Sequence, residues 1–184
     1  MPGGHVVIFG GGPIGLSTVA LAKAAGAARI IVFELREKRQ KLALKVGATD
    51  ILNPVELKEN GVRLSDRIME ITGGAGAAMV VEASGRQKDN IPEAADMLMP
   101  GGKIVQLGIT SDEVAFLPVY LQKQGVDIRY SIGSSGHGIW PNVIRLIENG
   151  RLDPTMYLEK TYHIEEAIEA IESMKKDSGG KYVV

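Results

Sequence analysis

The 184-residue chain contains no cysteine, which excludes disulfides and any metal site built on thiolates. No apolar run approaches the roughly 20 residues that a membrane-spanning helix needs. No basic segment leads into an apolar stretch of the kind that marks a secretory leader. Charge of either sign is not in excess: 21 lysines and arginines stand against 22 aspartates and glutamates. That balance leaves no electrostatic footprint for nucleic acid or for an anionic membrane surface. What remains is a globular composition, 45% hydrophobic, and a length that suits one well-buried domain in a cytoplasmic protein.

Short apolar runs alternate with amphipathic ones along this chain. Strands are predicted at residues 6–9, 30–33, 50–52, 79–82, 103–107 and 128–132, where β-branched residues cluster between turn signals. Helices are predicted at 13–25, 36–46, 63–71, 93–98 and 119–123, with Asn53-Pro54 ending the third strand and Pro100-Gly101-Gly102 turning the chain into the fifth. Near the end, Trp140, Val143, Ile144 and Ile147 line one helical face, and Ile164, Ile168, Ile171 and Met174 line another. Strands that are apolar throughout and separated by helices call for a parallel sheet covered on both faces. The expected fold is α/β, a doubly wound six-stranded parallel sheet of the Rossmann type in the order 3-2-1-4-5-6. Residues 1–154 make this domain, and residues 155–184 form a short C-terminal α/β tail.

The chemistry concentrates where the first strand meets the first helix. Gly10-Gly11-Gly12-Pro13-Ile14-Gly15 is a G-x-G-x-x-G, a weak pattern alone in a chain with 23 glycines, but it follows a strand and opens a helix. Gly10 permits the tight turn, Gly12 lets backbone approach a pyrophosphate, and Gly15 lets the helix pack against the strand. Pro13 suits the first helical turn, where its missing N–H has no partner to lose. The pyrophosphate would rest on the free N–H groups and positive dipole end of that helix. Glu34 closes the second strand, nineteen residues after Gly15, where a carboxylate accepts from the ribose hydroxyls and repels a 2′-phosphate. NAD is therefore favoured over NADP. Arg36 and Arg39 could pair with a 2′-phosphate, or Arg39 could stack on adenine. In a doubly wound sheet the ligand lies across the carboxyl ends of the strands, so Ala83 and Ser84 would face the adenosine side and Leu107, Gly108 and Ile109 the nicotinamide side.

Together, HVVIFGGGPIGLSTVALAKAAGA, KLALKVGATDILNP, VVEASG and MPGGKIVQLG resemble the zinc-containing medium-chain dehydrogenases, the alcohol, sorbitol and threonine dehydrogenase family. The resemblance covers essentially the whole chain. It implies coenzyme-binding roles for Gly10, Gly12, Pro13, Ile14, Gly15, Glu34, Arg39, Ala83, Ser84, Leu107, Gly108, Ile109, Ile132, Gly133 and Lys181. The stretch 133–138 is most similar to polyol-oxidising members. The family's zinc ligands and proton relay come from an N-terminal GroES-like catalytic domain, toward which the tail returns. None of that machinery is recognisable here, since His5, His137 and His163 lie in three separate elements without metal-ligand spacing. The expectation is an excised or truncated coenzyme domain, with no catalytic or metal residue of its own and no activity alone. An alcohol or polyol would then bind only with the missing domain, whose loss would expose surface at Met97, Leu98 or Phe116.

Other classes fit less well. Short-chain reductases need Tyr-x-x-x-Lys, and no tyrosine here has a lysine four residues on. A methyltransferase would not need Gly15 or the Pro13-Ile14 pair. A non-catalytic NAD-binding regulatory or sensor domain would explain the absent chemistry, and the zinc-free quinone reductases share the fold. By the family's pattern the sixth strand pairs with its twin to give a homodimer or higher homo-oligomer.

Overall fold

The computed structural model describes residues 2–115, 118–133, 138–177 and 179–184. Six parallel strands form the main sheet: β1 (His5–Phe9), β2 (Arg29–Phe33), β3 (Asp50–Leu52), β4 (Ala77–Glu82), β5 (Leu98–Gln106) and β6 (Asp127–Tyr130). Their order is β3-β2-β1-β4-β5-β6, the doubly wound order expected. Helices α1 (Pro13–Ala24), α2 (Glu37–Val46), α3 (Pro54–Glu59), α4 (Leu64–Ile71), α5 (Gln87–Met97), α6 (Pro118–Gln124), α7 (Ile139–Glu148) and α8 (Ala167–Asp177) connect or follow the strands. A separate parallel pair, β7 (Leu158–Thr161) with β8 (Lys181–Val183), belongs to the tail. Among the described residues no helix is long and apolar enough to cross a membrane.

The alternation of side chains along each strand divides the core in two. Val7, Phe9, Ile31, Phe33 and Val80 meet α4 and α5 through Leu64, Ile68, Ile91 and Ala94 on one face. Ile8, Ile30, Val32 and Val81 meet α1 and α2 through Leu16, Val19, Ala43 and Val46 on the other. Each fully buried aliphatic or phenyl side chain is worth about 1.5–3 kcal/mol of burial. Phe9 and Phe33 stack with ring centroids 4.9 Å apart, joining β1 to β2 where the chain leaves the sheet for its functional loops.

Four details differ from the sequence reading. Asn53-Pro54 opens a helix rather than only stopping a strand: the Asn53 side chain accepts from Val55 N–H at 3.0 Å, and Pro54 occupies the first helical position. Helix α5 begins six residues before the predicted start at Glu93 and carries Pro92 inside it, at the cost of one hydrogen bond to the carbonyl of Lys88. Strand β5 begins at Leu98, and its register against β4 shifts between Ala77 and Met79, so that Pro100-Gly101-Gly102 bulges within the strand. Met97 and Leu98 are core residues, 0% and 5% exposed, and not uncovered surface. Met97 follows Ile91 and Ala94 on the inward face of α5, where a three-residue step keeps side chains together. Phe116 lies outside the described residues.

The tail docks on α1 and α2. Glu159 of β7 pairs with Lys38 of α2 and accepts the N–H groups of Gly179 and Gly180 at 2.8 and 2.7 Å. Burial works to raise the Glu159 pKa, but the Lys38 ammonium and the two backbone donors outweigh it and hold the carboxyl below its ordinary value. The apolar faces predicted near the end are amphipathic as expected, yet they are covered only in part. Trp140 is 63% exposed and Ile168 75% exposed, whereas Val143 and Leu146 of α7 pack onto the core.

Candidate coenzyme site

The loop between β1 and α1 is shaped by contacts no side chain could replace. Gly10 takes φ +98° and its N–H donates to the Phe33 carbonyl at 2.9 Å. A Cβ on Gly15 would lie 2.9 Å from the Gly10 carbonyl carbon and nearer still to its oxygen, so α1 can approach β1 only with glycine there. Gly12 is different. Its φ is −74°, and a Cβ would meet nothing closer than the Arg39 guanidinium at 3.5 Å. Among the described residues no contact or backbone angle requires glycine at that position.

Gly12 is the N-cap of α1 and offers no side chain to satisfy the first turn, which also lacks an acidic residue. The N–H groups of that turn have no intrahelical partner, so the helix presents unmatched donors and the positive end of its dipole. Pro13 occupies the first helical position, Ile14 is exposed, and Gly15 is buried beneath them.

Glu34 follows β2 directly, within reach of this loop, and is only 7% exposed. One carboxylate oxygen, Oε2, accepts the Gly11 N–H at 2.7 Å, and Oε1 accepts those of Leu35 and Arg36 at 2.8 and 2.9 Å. A carboxylate has about four lone-pair sites. Three of them take these backbone donors, two on Oε1 and one on Oε2, the oxygen beside the glycine loop. The residue thus ties the β1–α1 loop to the β2–α2 turn as well as carrying charge, a structural task the spacing argument had not assigned to it.

A cleft of about 330 Å³ opens between these elements. Its walls include Gly10, Gly12, Glu34, Arg39, Ala83 and Ser84, all anticipated from the sequence. Pro54, Val55 and Lys58, which α3 brings to the same wall, were not. Four cationic side chains, Arg36, Arg39, Lys58 and Arg86, face two carboxylates, Glu34 and Asp89. Arg86 is bound to Asp89 at 2.8 Å. The excess of cations around unmatched N–H groups suits an anionic ligand.

A second cleft, about 360 Å³, lies on the same edge of the sheet at the ends of β5 and β6. Leu107, Gly108, Ile109 and Ile132 line it together. Gly133 follows Ile132 in an exposed turn at φ +64°. Lys181 sits apart from both clefts' walls, exposed at the start of β8. Between the clefts runs the β4–α5 turn, organised by Glu82, which is fully buried. Its carboxylate accepts from Ser84 N–H at 3.0 Å, Ser84 Oγ at 2.5 Å and Asn90 Nδ2 at 3.2 Å. The turn's backbone is therefore set from inside the core, and Ser84 in turn abuts Gly10.

Among the described residues no three histidine, aspartate or glutamate side chains gather as a metal site. His5 begins β1 with its Nδ1 buried and unpaired, and His163 caps the turn before α8. His137 lies outside the described residues. The residues described do not fit a zinc ion.

Comparison with known proteins matches this architecture to one family. Residues 13–149 fit the family model described as zinc-binding dehydrogenase. The chain belongs to the zinc-binding dehydrogenase family. Within that family, scyllo-inosose 3-dehydrogenase of Thermotoga maritima is 36% identical over 180 residues, covering 96% of this chain and 44% of the relative. L-threonine 3-dehydrogenase of Thermococcus kodakarensis is 35% identical, covering 98% and 51%. Among solved structures, 2R,3R-butanediol dehydrogenase of Bacillus subtilis superposes with a TM-score of 0.86 at 26% identity, over 97% of this chain and 49% of that one. The chain spans about half the length of the curated relatives it matches.

Proposed function

We propose that this chain is the NAD(H)-binding half of a zinc-dependent alcohol or polyol dehydrogenase. The adenosine lies in the first cleft, the pyrophosphate at the N-terminus of α1 and the nicotinamide in the second cleft. Gly12 carries the proposal. Among the described residues no steric contact or backbone angle demands a missing side chain there, and a backbone-close pyrophosphate does. Glu34 accepts from the adenosine ribose, Arg39 borders the ring, and Ala83 and Ser84 form the wall beneath. Leu107, Gly108, Ile109 and Ile132 support the other half, with Gly133 at its margin, while Lys181, away from both clefts, is the late basic residue that the family resemblance sets toward the pyrophosphate.

The bound coenzyme supplies the hydride acceptor. This chain's part is to bind and orient it, and a catalytic domain of the kind the family resemblance implies supplies the zinc, the proton relay and most substrate contacts. Residues 1–154 act as the coenzyme-binding domain, with 155–184 as the tail that meets the catalytic domain, and the chain alone turns over no alcohol. The protein works in the cytoplasm. β6 is an edge strand ending in exposed Tyr130, which supports a homodimer through that strand.

Calorimetric titration tests the coenzyme choice. NADH is expected to bind at least about tenfold more tightly than NADPH, because a hydrogen bond to a charged acceptor contributes roughly 1.5–3 kcal/mol and a 2′-phosphate forfeits it. Equal affinities, or tighter NADPH, would remove Glu34 from its role. Binding of neither nucleotide would remove the proposal.

A further inference from the structure

Gln87 opens α5 and is 3% exposed, although no motif in the sequence marks it. Its Nε2 donates to the Gly108 carbonyl at 2.5 Å, and its Oε1 is buried with no partner. The N–H of Gly108 donates to the Glu82 carbonyl at 2.9 Å. Gly108 is thus gripped at both its N–H and its carbonyl, and it could carry no side chain, since a Cβ would lie 2.6 Å from Gly85 N and nearer still to the Glu82 carboxylate.

An amide that leaves its own carbonyl buried and unpaired is a poor choice for stability alone, because an unsatisfied buried acceptor is costly and an apolar side chain of similar size would avoid it. What the amide alone supplies is the donor to Gly108. Gln87 and Gly108 both line the second cleft, while Gln87 is absent from the walls of the first. The two clefts share the β4–α5 turn, so a side chain could in principle shape either one. Gln87 reaches only one.

We infer that Gln87 is a positioning residue for the nicotinamide half of the coenzyme: its amide fixes the Gly108 peptide, and with it the floor of the second cleft, and it does not affect the adenosine half. The inference rests on the NAD reading above. It separates the two halves of one ligand, which a residue acting only through the stability of the fold could not do.

The test is calorimetry of the wild type, Gln87→Leu and Gln87→Glu with NAD and with ADP-ribose, which lacks only the nicotinamide. Wild type is expected to bind both. Gln87→Leu is expected to lose roughly tenfold in NAD affinity, the worth of about one buried hydrogen bond, and to keep ADP-ribose affinity within about twofold. Gln87→Glu can donate to Gly108 only when protonated, so its NAD affinity should fall as the pH rises from about 5.5 to 8, a range chosen because burial raises a carboxyl pKa. Wild type should be flat over the same range. Loss of both ligands by one common factor, or of neither, would overturn the inference, as would a Gln87→Glu variant whose NAD affinity ignores pH. If Gln87→Leu does not fold, the pH profile of Gln87→Glu decides. A wild type that binds neither ligand would instead overturn the coenzyme reading, a result distinct from either of these.

Discussion

Gly12→Ala is expected to leave the folded chain within about 1 kcal/mol of the wild type while NADH affinity falls on the order of a hundredfold. The two halves of that result have separate causes. Gly12 has an ordinary φ of −74° and room for a Cβ, whose nearest neighbour would be the Arg39 guanidinium at 3.5 Å. Replacing glycine where the backbone suits alanine stabilises by about 0.4–1 kcal/mol, chiefly by restricting the unfolded chain, and the poorer N-capping by alanine offsets that gain. The new methyl group stands, however, where a pyrophosphate must approach the donors at the start of α1. Gly15→Ala makes the opposite comparison. There the Cβ drives into the Gly10 carbonyl, overpacking costs about 1–3 kcal/mol, and melting falls by about 2–12 °C in a chain of this size. Thermal unfolding and calorimetry on both variants check the contrast. A Gly12→Ala protein that binds NADH like the wild type would show that the open space above Gly12 serves no phosphate.

Glu34→Gln is expected to narrow or invert the preference for NADH over NADPH by about a hundredfold. The glutamine keeps the shape but cannot keep the bonding, since the carboxylate accepts on both oxygens from Gly11, Leu35 and Arg36, whereas an amide accepts only on one. Its NH₂ must face an N–H donor on one side. The variant therefore loosens the tie between the glycine loop and the β2–α2 turn, and NADH weakens by roughly tenfold, about the worth of one charged hydrogen bond. NADPH gains for a different reason. With the negative charge gone, the cations of the first cleft, Arg36, Arg39 and Lys58, outnumber the acids further, and a 2′-phosphate meets attraction where it met repulsion. Paired NADH and NADPH isotherms for wild type and variant measure this directly. An unchanged ratio would mean that Glu34 matters only to the loop.

The fold was legible where punctuation was strong. Residues 6–9 and 30–33 are apolar runs closed by glycines or by an acid, and the strands they make differ from the reading by one residue at the start. Six strands alternating with helices fitted the doubly wound order that the sheet has. Gly10, Gly12, Glu34, Ala83 and Ser84 were legible as one site because the rule that ligands lie at the carboxyl ends of parallel strands converts sequence positions into neighbours. Helix α3 was legible in principle: Asn53, Pro54 and Glu56 are an N-cap, a first-position proline and an acid in the first turn. Asn-Pro also ends strands, so the same two residues carry both signals. Gln87 was not legible at all, since its significance lies in a carbonyl twenty-one residues away. The helical faces of α7 and α8 were readable as amphipathic, but periodicity says only that a face is apolar. It does not say what covers it, and here Trp140 and Ile168 face outward.

A diffraction structure of the chain with NADH bound tests the central claim most directly. The expected result is a pyrophosphate over Gly12, in contact with the N–H groups at the start of α1, an adenosine ribose hydroxyl on Glu34 Oε2, and the nicotinamide against Leu107–Ile109. A coenzyme seated elsewhere, or a pyrophosphate that leaves the start of α1 untouched, would contradict the reading of this chain as a dinucleotide-binding half.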